Sequence, residues 1–156
     1  MGKLPKSAAS HVMVATLLYV PYFGAVRVMK SPSAWHLELL PEGVELTDDG
    51  GAGLLCLLQE EIPDEMLWRG TPFQCKVWRE LCKIPIGTTV SYLQIAQRIG
   101  SPRAVRAVAN AVGANPFPLI IPCHRVIRSS GGIGGYYYGI SLKEALLRWE
   151  AEQQCQ

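Results

Sequence analysis

The sequence predicts an α+β protein with a small antiparallel sheet in its N-terminal part and a mostly helical C-terminal part. The residue pattern changes along the chain: β-forming residues dominate the first forty positions, and apolar residues at helical spacing dominate the second half. The charge changes as well. Residues 1–68 contain four Lys or Arg and nine Asp or Glu, a net charge of −5, whereas residues 69–156 contain eleven and four, a net charge of +7. These observations predict two domains, at residues 1–65 and 68–152.

Three extended segments are predicted in the first domain. Residues 11–20 are rich in β formers, and alternation of apolar and polar residues follows at 25–28 and 35–40. This pattern predicts a three-stranded antiparallel sheet. A short helix is predicted at residues 54–61, and nothing in this domain has a catalytic pattern.

Three capping boxes predict the starts of helices in the second domain. A hydroxyl residue followed three positions later by Gln or Glu satisfies two unpaired backbone N–H groups at a helix start. The boxes are Thr71 with Gln74, Ser91 with Gln94, and Ser141 with Glu144. Gly100 is expected to end the second helix, and another helix is predicted from Pro102 to Gly113. Two short helices joined by a turn with glycine are typical of a helix-turn-helix.

The helix predicted at residues 102–113 has one apolar and one basic face. The apolar side consists of Val105, Val108, Ala109 and Val112. The opposite side carries Arg103, Arg106, Ala107 and Asn110. Two arginines, a small residue and an amide can lie close to DNA, although an ordinary solvated face is the alternative. The helix-turn-helix pattern and the charge of +7 favour nucleic acid as the partner.

The strongest chemical signal is Cys123 followed directly by His124. A thiolate is a strong nucleophile, and a nearby imidazole is a common way to generate one. The alternative is a buried structural cysteine beside a surface histidine. The apolar run before Pro122 predicts that the cysteine lies on a buried turn. The linker at residues 115–118 contains two prolines and should fix that turn relative to the basic helix.

The cysteines do not predict a disulfide framework or a zinc site. Their number is odd and no pair has Cys-x-x-Cys spacing; they are Cys56, Cys75, Cys82, Cys123 and Cys155. Cys75 and Cys82 are expected on one helix face in the core. His11 and His36 have no partner at metal-ligand spacing, so no metal or other cofactor is expected.

No membrane span is predicted. The apolar stretch at residues 12–28 is interrupted by Pro21, Gly24 and Arg27, which favours strands. No secretory signal pattern is visible, so a cytoplasmic (intracellular) location is expected, or the nucleus in a eukaryotic cell.

Several motifs together resemble the O6-alkylguanine-DNA alkyltransferases, also called methylated-DNA–protein-cysteine methyltransferases. Residues 122–126, Pro-Cys-His-Arg-Val, look like their active-site sequence. Further matches in order and spacing are Gly70–Gln74, Val90–Tyr92, Arg103–Val108, Asn115-Pro116, the glycine-rich stretch around Tyr136, Lys143-Glu144 and Glu150. The resemblance covers about residues 68–151, and residues 1–65 match only in kind. It implies a ribonuclease H-like N-terminal domain and a winged helix-turn-helix in the second domain.

The resemblance implies direct DNA repair by a single-use protein. An alkyl group would pass irreversibly from O6-alkylguanine, and also from O4-alkylthymine, to Cys123. The damaged base must be flipped out of the duplex to reach a buried thiol. The helix at residues 102–113 would enter the minor groove, with Arg106 filling the gap that the base leaves. A monomer without a cofactor is expected, with double-stranded DNA as its partner and no membrane.

Family roles can be transferred to matching positions. His124 would accept the thiol proton through a water, and Glu150 would orient His124. Tyr92 would crowd the phosphate and protonate the leaving base, and Asn115 would link the turns around Cys123. The DNA-binding and base-binding set is Ser91, Arg103, Ala107, Asn110, Arg125, Val126, Tyr136 and Tyr137, the last three through their backbones.

Two tyrosines depart from the family pattern. The loop reads Gly134-Gly135-Tyr136-Tyr137-Tyr138-Gly139, where relatives often have a small residue or Ser and then Gly-Gly. Tyr137 would remove a hydroxyl donor for O6, and Tyr138 would narrow the pocket. Good activity on methyl adducts and weaker activity on benzyl adducts are therefore predicted.

Three alternatives remain open at this point. An alkyltransferase-like protein could bind alkylated DNA without reacting, but such proteins lack the cysteine that is present at position 123. A helix-turn-helix regulator would leave Tyr92, Arg106, Asn115 and Glu150 as coincidences. A cysteine hydrolase would need no DNA-facing helix.

Overall fold

The computed structural model describes residues 13–44, 46–61 and 69–154. The first elements along the chain are the strands of a three-stranded antiparallel sheet. The strands are β1 (Val14–Val20), β2 (Gly24–Lys30) and β3 (Trp35–Leu39), in the order β1-β2-β3. Val28 pairs with both Thr16 and Leu37. The predicted sheet is confirmed. Its predicted start at residues 11–12, the boundary between residues 65 and 68, His11 and Cys155 lie outside the described residues.

Alternating burial explains why these segments form a sheet. One face carries the buried residues Leu18, Val20, Val26, Val28, Trp35 and Leu37. Helix α1 (Ala52–Leu58) contributes Leu54 and Leu57 to the same core. Each fully buried side chain of this kind contributes roughly 1.5–3 kcal/mol. The helix begins two residues before the predicted start and is shorter than predicted.

Four helices lie within the described C-terminal residues 69–154: α2 (Pro72–Cys82), α3 (Tyr92–Arg98), α4 (Val105–Gly113) and α5 (Ile140–Gln154). The capping boxes at Thr71 and Ser91 are confirmed, each with both hydrogen bonds. The prediction of a third capping box at Ser141 and Glu144 is wrong. Helix α5 begins at Ile140, after Gly139 at a φ of 103°, so Ser141 lies inside its first turn.

The connection between α3 and α4 differs partly from its prediction. Gly100, at a φ of 81°, ends α3: its N–H bonds the Gln97 carbonyl, and the Ser101 N–H bonds the Ala96 carbonyl. Helix α4 begins at Val105 rather than at Pro102. The N–H of Ala104 bonds the Ser101 carbonyl at 2.9 Å, which closes a turn in which proline fits the second position.

Helix α4 has the predicted two faces. Val108, Ala111 and Val112 are buried, and the Trp78 indole of α2 donates to the Ala111 carbonyl at 2.8 Å. On the opposite face, Arg106, Ala107 and Asn110 are exposed. Arg103 is also exposed but lies in the turn before the helix.

A two-stranded parallel sheet joins two segments that are distant in sequence. Strand β4 (Val90–Ser91) precedes α3 directly, and β5 (Val126–Ile127) follows a 3-10 turn at Cys123–Arg125. Val90 pairs with Val126. This pairing places the start of α3 beside the turn that contains the Cys-His pair.

The N-terminal segment contacts the C-terminal part at several places, among them Trp35 and Gly50. The Trp35 N–H donates to the Pro116 carbonyl at 2.7 Å, and the Trp35 and Phe117 rings meet edge to face. The Trp149 indole donates to the Gly50 carbonyl at 3.2 Å. A β-carbon on Gly51 would lie 2.6 Å from this indole, so only glycine permits the approach. Among the described residues, no helix is long and apolar enough to cross a membrane.

Candidate active site

Cys123 lies on a buried turn at the wall of a cavity. Its N–H bonds the Ile121 carbonyl at 2.7 Å, and the Arg125 N–H bonds the Pro122 carbonyl at 3.0 Å. The segment is therefore a 3-10 turn, and the prediction of a buried turn is confirmed because Cys123 is 9% exposed. The cavity has a volume of about 460 Å³. Its lining includes His36, Tyr92, Asn115, Cys123, Tyr136 and Tyr138.

A buried charge network lies behind the cysteine. Nε2 of His124 is 2.7 Å from Oε2 of Glu150, and neither side chain is exposed to solvent. Arg125 donates to the same carboxylate through Nε at 2.8 Å and Nη2 at 2.9 Å, and through Nη1 to the Ile84 carbonyl at 2.8 Å. The alternative of a surface histidine is thus wrong. The assignment of Arg125 to DNA binding is also wrong, because its guanidinium is buried and paired inside the protein.

The network determines the ionisation of Glu150. Burial alone would raise the pKa of this carboxyl, but the charge of His124 and the hydrogen bonds from His124 and Arg125 outweigh it and lower the pKa to about 2. Glu150 is therefore ionised at neutral pH. Nδ1 of His124 is buried and has no hydrogen-bonding partner within the described part of the chain. Nε2 of the imidazole is thus held by the Glu150 carboxylate, whereas Nδ1 has no partner among the described residues.

Asn115 links the two ends of the loop before the cysteine. Its Nδ2 donates to the Ile121 carbonyl at 2.7 Å, and its Oδ1 accepts the Phe117 N–H at 2.8 Å. Inside this loop, buried Leu119 has a φ of 74°, a conformation that costs a non-glycine residue about 1–3 kcal/mol. Asn115 therefore links the turns before Cys123, as predicted.

Lys143 is a buried cation near the cysteine. Its ammonium donates to the Val126 carbonyl at 2.7 Å and to the Gly135 carbonyl at 3.1 Å. Burial lowers the pKa of Lys143 to about 8, against the attraction of Cys123. Burial raises the pKa of the Cys123 thiol, while the Asn115 side chain and the Lys143 charge lower it. Sequence reasoning gave Lys143 no role, although a lysine between Leu142 and Ala145 on a buried helix face was a signal.

Tyr92 is the first residue of α3, and the glycine-rich loop lies against its hydroxyl. A β-carbon on Gly134, at a φ of 74°, would lie 3.2 Å from the Tyr92 hydroxyl and 3.5 Å from the Lys143 ammonium. Burial and the proximity of Cys123 raise the pKa of Tyr92. The hydroxyl is therefore protonated at neutral pH and faces the same region as the cysteine.

Of the remaining predicted residues, only Tyr136 and Tyr137 are part of the cavity lining. Ala109, Val112 and Gly113 of α4 line the cavity, so the exposed face of this helix borders its opening. The Ser91 hydroxyl caps α3 by accepting the Gln94 N–H. The Val126 carbonyl already accepts a bond from Lys143. Tyr137 is 78% exposed, whereas the Tyr136 hydroxyl is buried without a partner among the described residues.

Other cysteines differ from Cys123 in their surroundings. Cys75 is buried as expected, but Cys82, the last residue of α2, is exposed, so the prediction of a shared core face is wrong. Within residues 13–44, 46–61 and 69–154, no group of three or more His, Cys, Asp or Glu side chains could bind a metal ion.

The Cys-His turn, the basic helix and all of the cavity lining except His36 fall within one region of sequence similarity. The family model for the DNA-binding domain of 6-O-methylguanine DNA methyltransferase matches residues 72–152. The chain belongs to this family. The family match begins at the first residue of α2 and includes Cys123, His124 and Glu150.

Family relatives share this region. The bifunctional transcriptional activator and DNA repair enzyme Ada of Escherichia coli is 57% identical over 86 residues, which are 55% of this chain and 24% of Ada. The methylated-DNA–protein-cysteine methyltransferase of Mycobacterium tuberculosis H37Rv is 52% identical over 90 residues, 58% of this chain and 54% of that protein. The chain thus spans about half or less of these relatives.

A solved family structure matches more of the fold. The crystal structure of Mycobacterium tuberculosis OGT in complex with DNA has a TM-score of 0.64 and 36% identity, and the match covers 90% of this chain and 92% of that one. Since the match exceeds the family region, it includes the antiparallel sheet. The protein is therefore a mixed α and β fold in which a small sheet accompanies the helices that form the site.

Proposed function

We propose that this protein repairs alkylated DNA by irreversible transfer of an alkyl group from O6-alkylguanine, and from O4-alkylthymine, to Cys123. This is the activity of a methylated-DNA–protein-cysteine S-methyltransferase that reacts once. The observation that carries the proposal is a buried thiol at a cavity wall, followed by a histidine that a buried carboxylate orients. A nucleophile, a base and an orienting acid are the parts that such a transfer needs.

The proposed step balances within these groups. The thiol proton passes to Nδ1 of His124 through a water, and the imidazolium is stabilised by Glu150. The sulfur then attacks the alkyl carbon, so that a carbon–sulfur bond forms as the bond to O6 breaks. Tyr92, whose hydroxyl is protonated, gives its proton to the guanine ring as it leaves. The thioether at Cys123 is stable, which makes the protein single-use.

The surface beside the cavity supports duplex DNA as the substrate. Arg106, Ala107 and Asn110 are exposed on α4, and other residues of the same helix line the cavity. We propose that α3 and α4 act as a helix-turn-helix, with β4 and β5 forming part of a wing, and that α4 enters the minor groove. Arg106 would then replace the flipped base while the base enters the cavity.

The finer architecture is proposed on the same basis. The sheet and α1 would form a ribonuclease H-like domain within residues 1–65, and residues 68–152 would form the alkyl-acceptor domain. The Mycobacterium tuberculosis protein that shares the fold was solved with DNA, which supports DNA as the partner. A monomer with one reactive cysteine is sufficient for the proposed chemistry.

Intact-mass analysis tests the proposal directly. The purified protein is incubated under reducing conditions with a duplex that contains one O6-methylguanine, and a parallel sample receives the unmodified duplex. We expect one methyl group per molecule, which peptide mapping assigns to Cys123, and no gain in a Cys123→Ser variant. A Cys82→Ser variant, which removes an exposed thiol, should react like the wild type.

Two other outcomes separate the alternatives. Binding to the modified duplex without any mass gain would contradict transfer and favour a non-reactive damage binder. An Arg106→Ala variant should lose transfer from the duplex but keep reaction with the free base O6-methylguanine. Equal loss for both substrates would contradict the proposed role of Arg106 in flipping the base.

A further inference from the structure

The outer edge of the N-terminal sheet closes one side of the cavity. Strand β3 is at the end of the strand order, so one of its sides is not paired with β2. The Trp35 N–H points to that side and bonds the Pro116 carbonyl. The backbone N–H of Leu37, two residues further along the strand, points to the same side. It hydrogen-bonds the phenol of Tyr138, a residue of the cavity wall.

His36, between these two residues, contacts the same tyrosine. The imidazole and the Tyr138 ring are 5.6 Å apart at 65°, an edge-to-face contact, and His36 itself lines the cavity. On its other sides, Tyr138 meets the rings of Tyr136 at 5.8 Å and Tyr137 at 4.8 Å. Tyr138 is therefore partly buried, with aromatic contacts on several sides and one backbone hydrogen bond from the sheet, while His36 itself is exposed.

We infer that His36 determines which alkyl groups the cavity accepts, by positioning Tyr138 together with the backbone of Leu37. This inference rests on the proposed alkyl transfer and names its substrate class: small O6-alkyl groups rather than aromatic ones. His36 is a positioning residue that lies outside the region matched by the family model, on a strand of the N-terminal sheet. The sheet is thus part of the substrate pocket.

The physical reason is that Tyr138 needs space to move aside for a large group. With the imidazole in place, the side of the tyrosine that faces the sheet is filled. In His36→Ala that space is empty, and the phenol can turn towards β3. Apolar pockets discriminate between substrates of different size by about tenfold or more. We expect the ratio of the benzyl to the methyl transfer rate to rise about tenfold in His36→Ala.

Single-turnover rates measure this ratio on duplexes that contain O6-methylguanine or O6-benzylguanine. His36→Phe retains a ring edge against Tyr138 and should restore the wild-type ratio. Tyr138→Phe loses the acceptor for the Leu37 N–H and should raise the ratio. Glu38→Ala is the matched control, since Glu38 is exposed on the same face of β3 and pairs with Arg27 instead. An unchanged ratio in His36→Ala would overturn the inference.

A second measurement does not depend on alkyl transfer. Without DNA, Cys123 is labelled by iodoacetamide or by the bulkier N-benzyliodoacetamide, and exposed Cys56 serves as the internal reference. His36→Ala should increase labelling of Cys123 by the bulky reagent only. An equal increase for both reagents would indicate a merely structural role and would contradict the inference. Selective bulky labelling without any transfer from DNA would support the role of His36 and refute the proposed function.

Discussion

Oε2 of Glu150 lies 2.7 Å from Nε2 of His124, and both side chains are completely buried. The same carboxylate binds Arg125 through both of its oxygens. A carboxylate with three charge-assisted hydrogen bonds is held in one orientation, and so is the imidazole that it binds. The position of the His124 ring beside Cys123 therefore depends on a residue of the C-terminal helix.

Replacing Glu150 by Gln should slow alkyl transfer on the order of a hundredfold, because an amide orients the imidazole but does not stabilise its protonated form. Single-turnover rates with an O6-methylguanine duplex measure the effect. Glu144→Gln is the control, since Glu144 is exposed on the same helix. Equal rates for the Glu150 variant and the wild type would contradict the role of Glu150.

Stability should fall in acid because Glu150 is ionised only in the folded protein over part of the range. Its pKa is about 2 when folded, against 4.5 for the free side chain. Because the folded pKa is depressed, the stabilisation is complete above pH 4.5 and is lost as the pH falls from 4.5 to 2. The difference amounts to about 3 kcal/mol. Urea unfolding across this range should show a smaller loss in Glu150→Gln, and parallel pH profiles would contradict the assignment.

Arg125→Met should destabilise the fold without weakening DNA binding. Its loss leaves a buried carboxylate with less compensation, which costs about 3–5 kcal/mol, and leaves the Ile84 carbonyl unpaired. Arg106→Ala should do the opposite, with unchanged stability and about tenfold weaker binding to undamaged duplex. Thermal melting and fluorescence anisotropy separate the two effects. Weaker DNA binding by a folded Arg125→Met protein would show that Arg125 contributes to DNA binding and would contradict this prediction.

Lys143→Met should slow the labelling of Cys123 by iodoacetamide at pH 7. The Lys143 charge lowers the pKa of the Cys123 thiol, so its removal leaves less thiolate. Lys143 itself loses its proton above a pH of about 8. The labelling rates of variant and wild type should therefore converge as the pH rises past 8, with Cys56 as the reference. A constant difference at all pH values would show that the charge is not responsible.

Local chemistry explains which parts of the fold could be predicted from sequence. The capping boxes at Thr71 and Ser91 need only residues three positions apart, and alternation in β1 to β3 reports burial of one face. The burial of Cys123 followed from the apolar run before it. The predicted start of α4 was wrong because the Ser-Pro pair that is typical of a helix start also fits the turn that the chain forms at residues 101–104.

Contacts between distant residues could not be predicted in this way. Arg125 was placed in the DNA-binding set with the roles transferred from the family, and no local pattern in the sequence shows its pairing with a carboxylate 25 residues away. No partner of His36 could be predicted for the same reason, since its contact with Tyr138 joins β3 to the glycine-rich loop, about a hundred residues further along the chain. Glu150 and Asn115 were found only through the family resemblance.

The hydrogen bonds that β3 makes with Pro116 and Tyr138 also affect the behaviour of the sheet as a surface. A strand with unpaired outward N–H groups is a template on which other chains can add strands and aggregate. Here the outward N–H groups of Trp35 and Leu37 are already bonded to the C-terminal part of the same molecule. Separation of the two parts would therefore expose a strand edge, and the isolated sheet should be more prone to self-association than the intact protein.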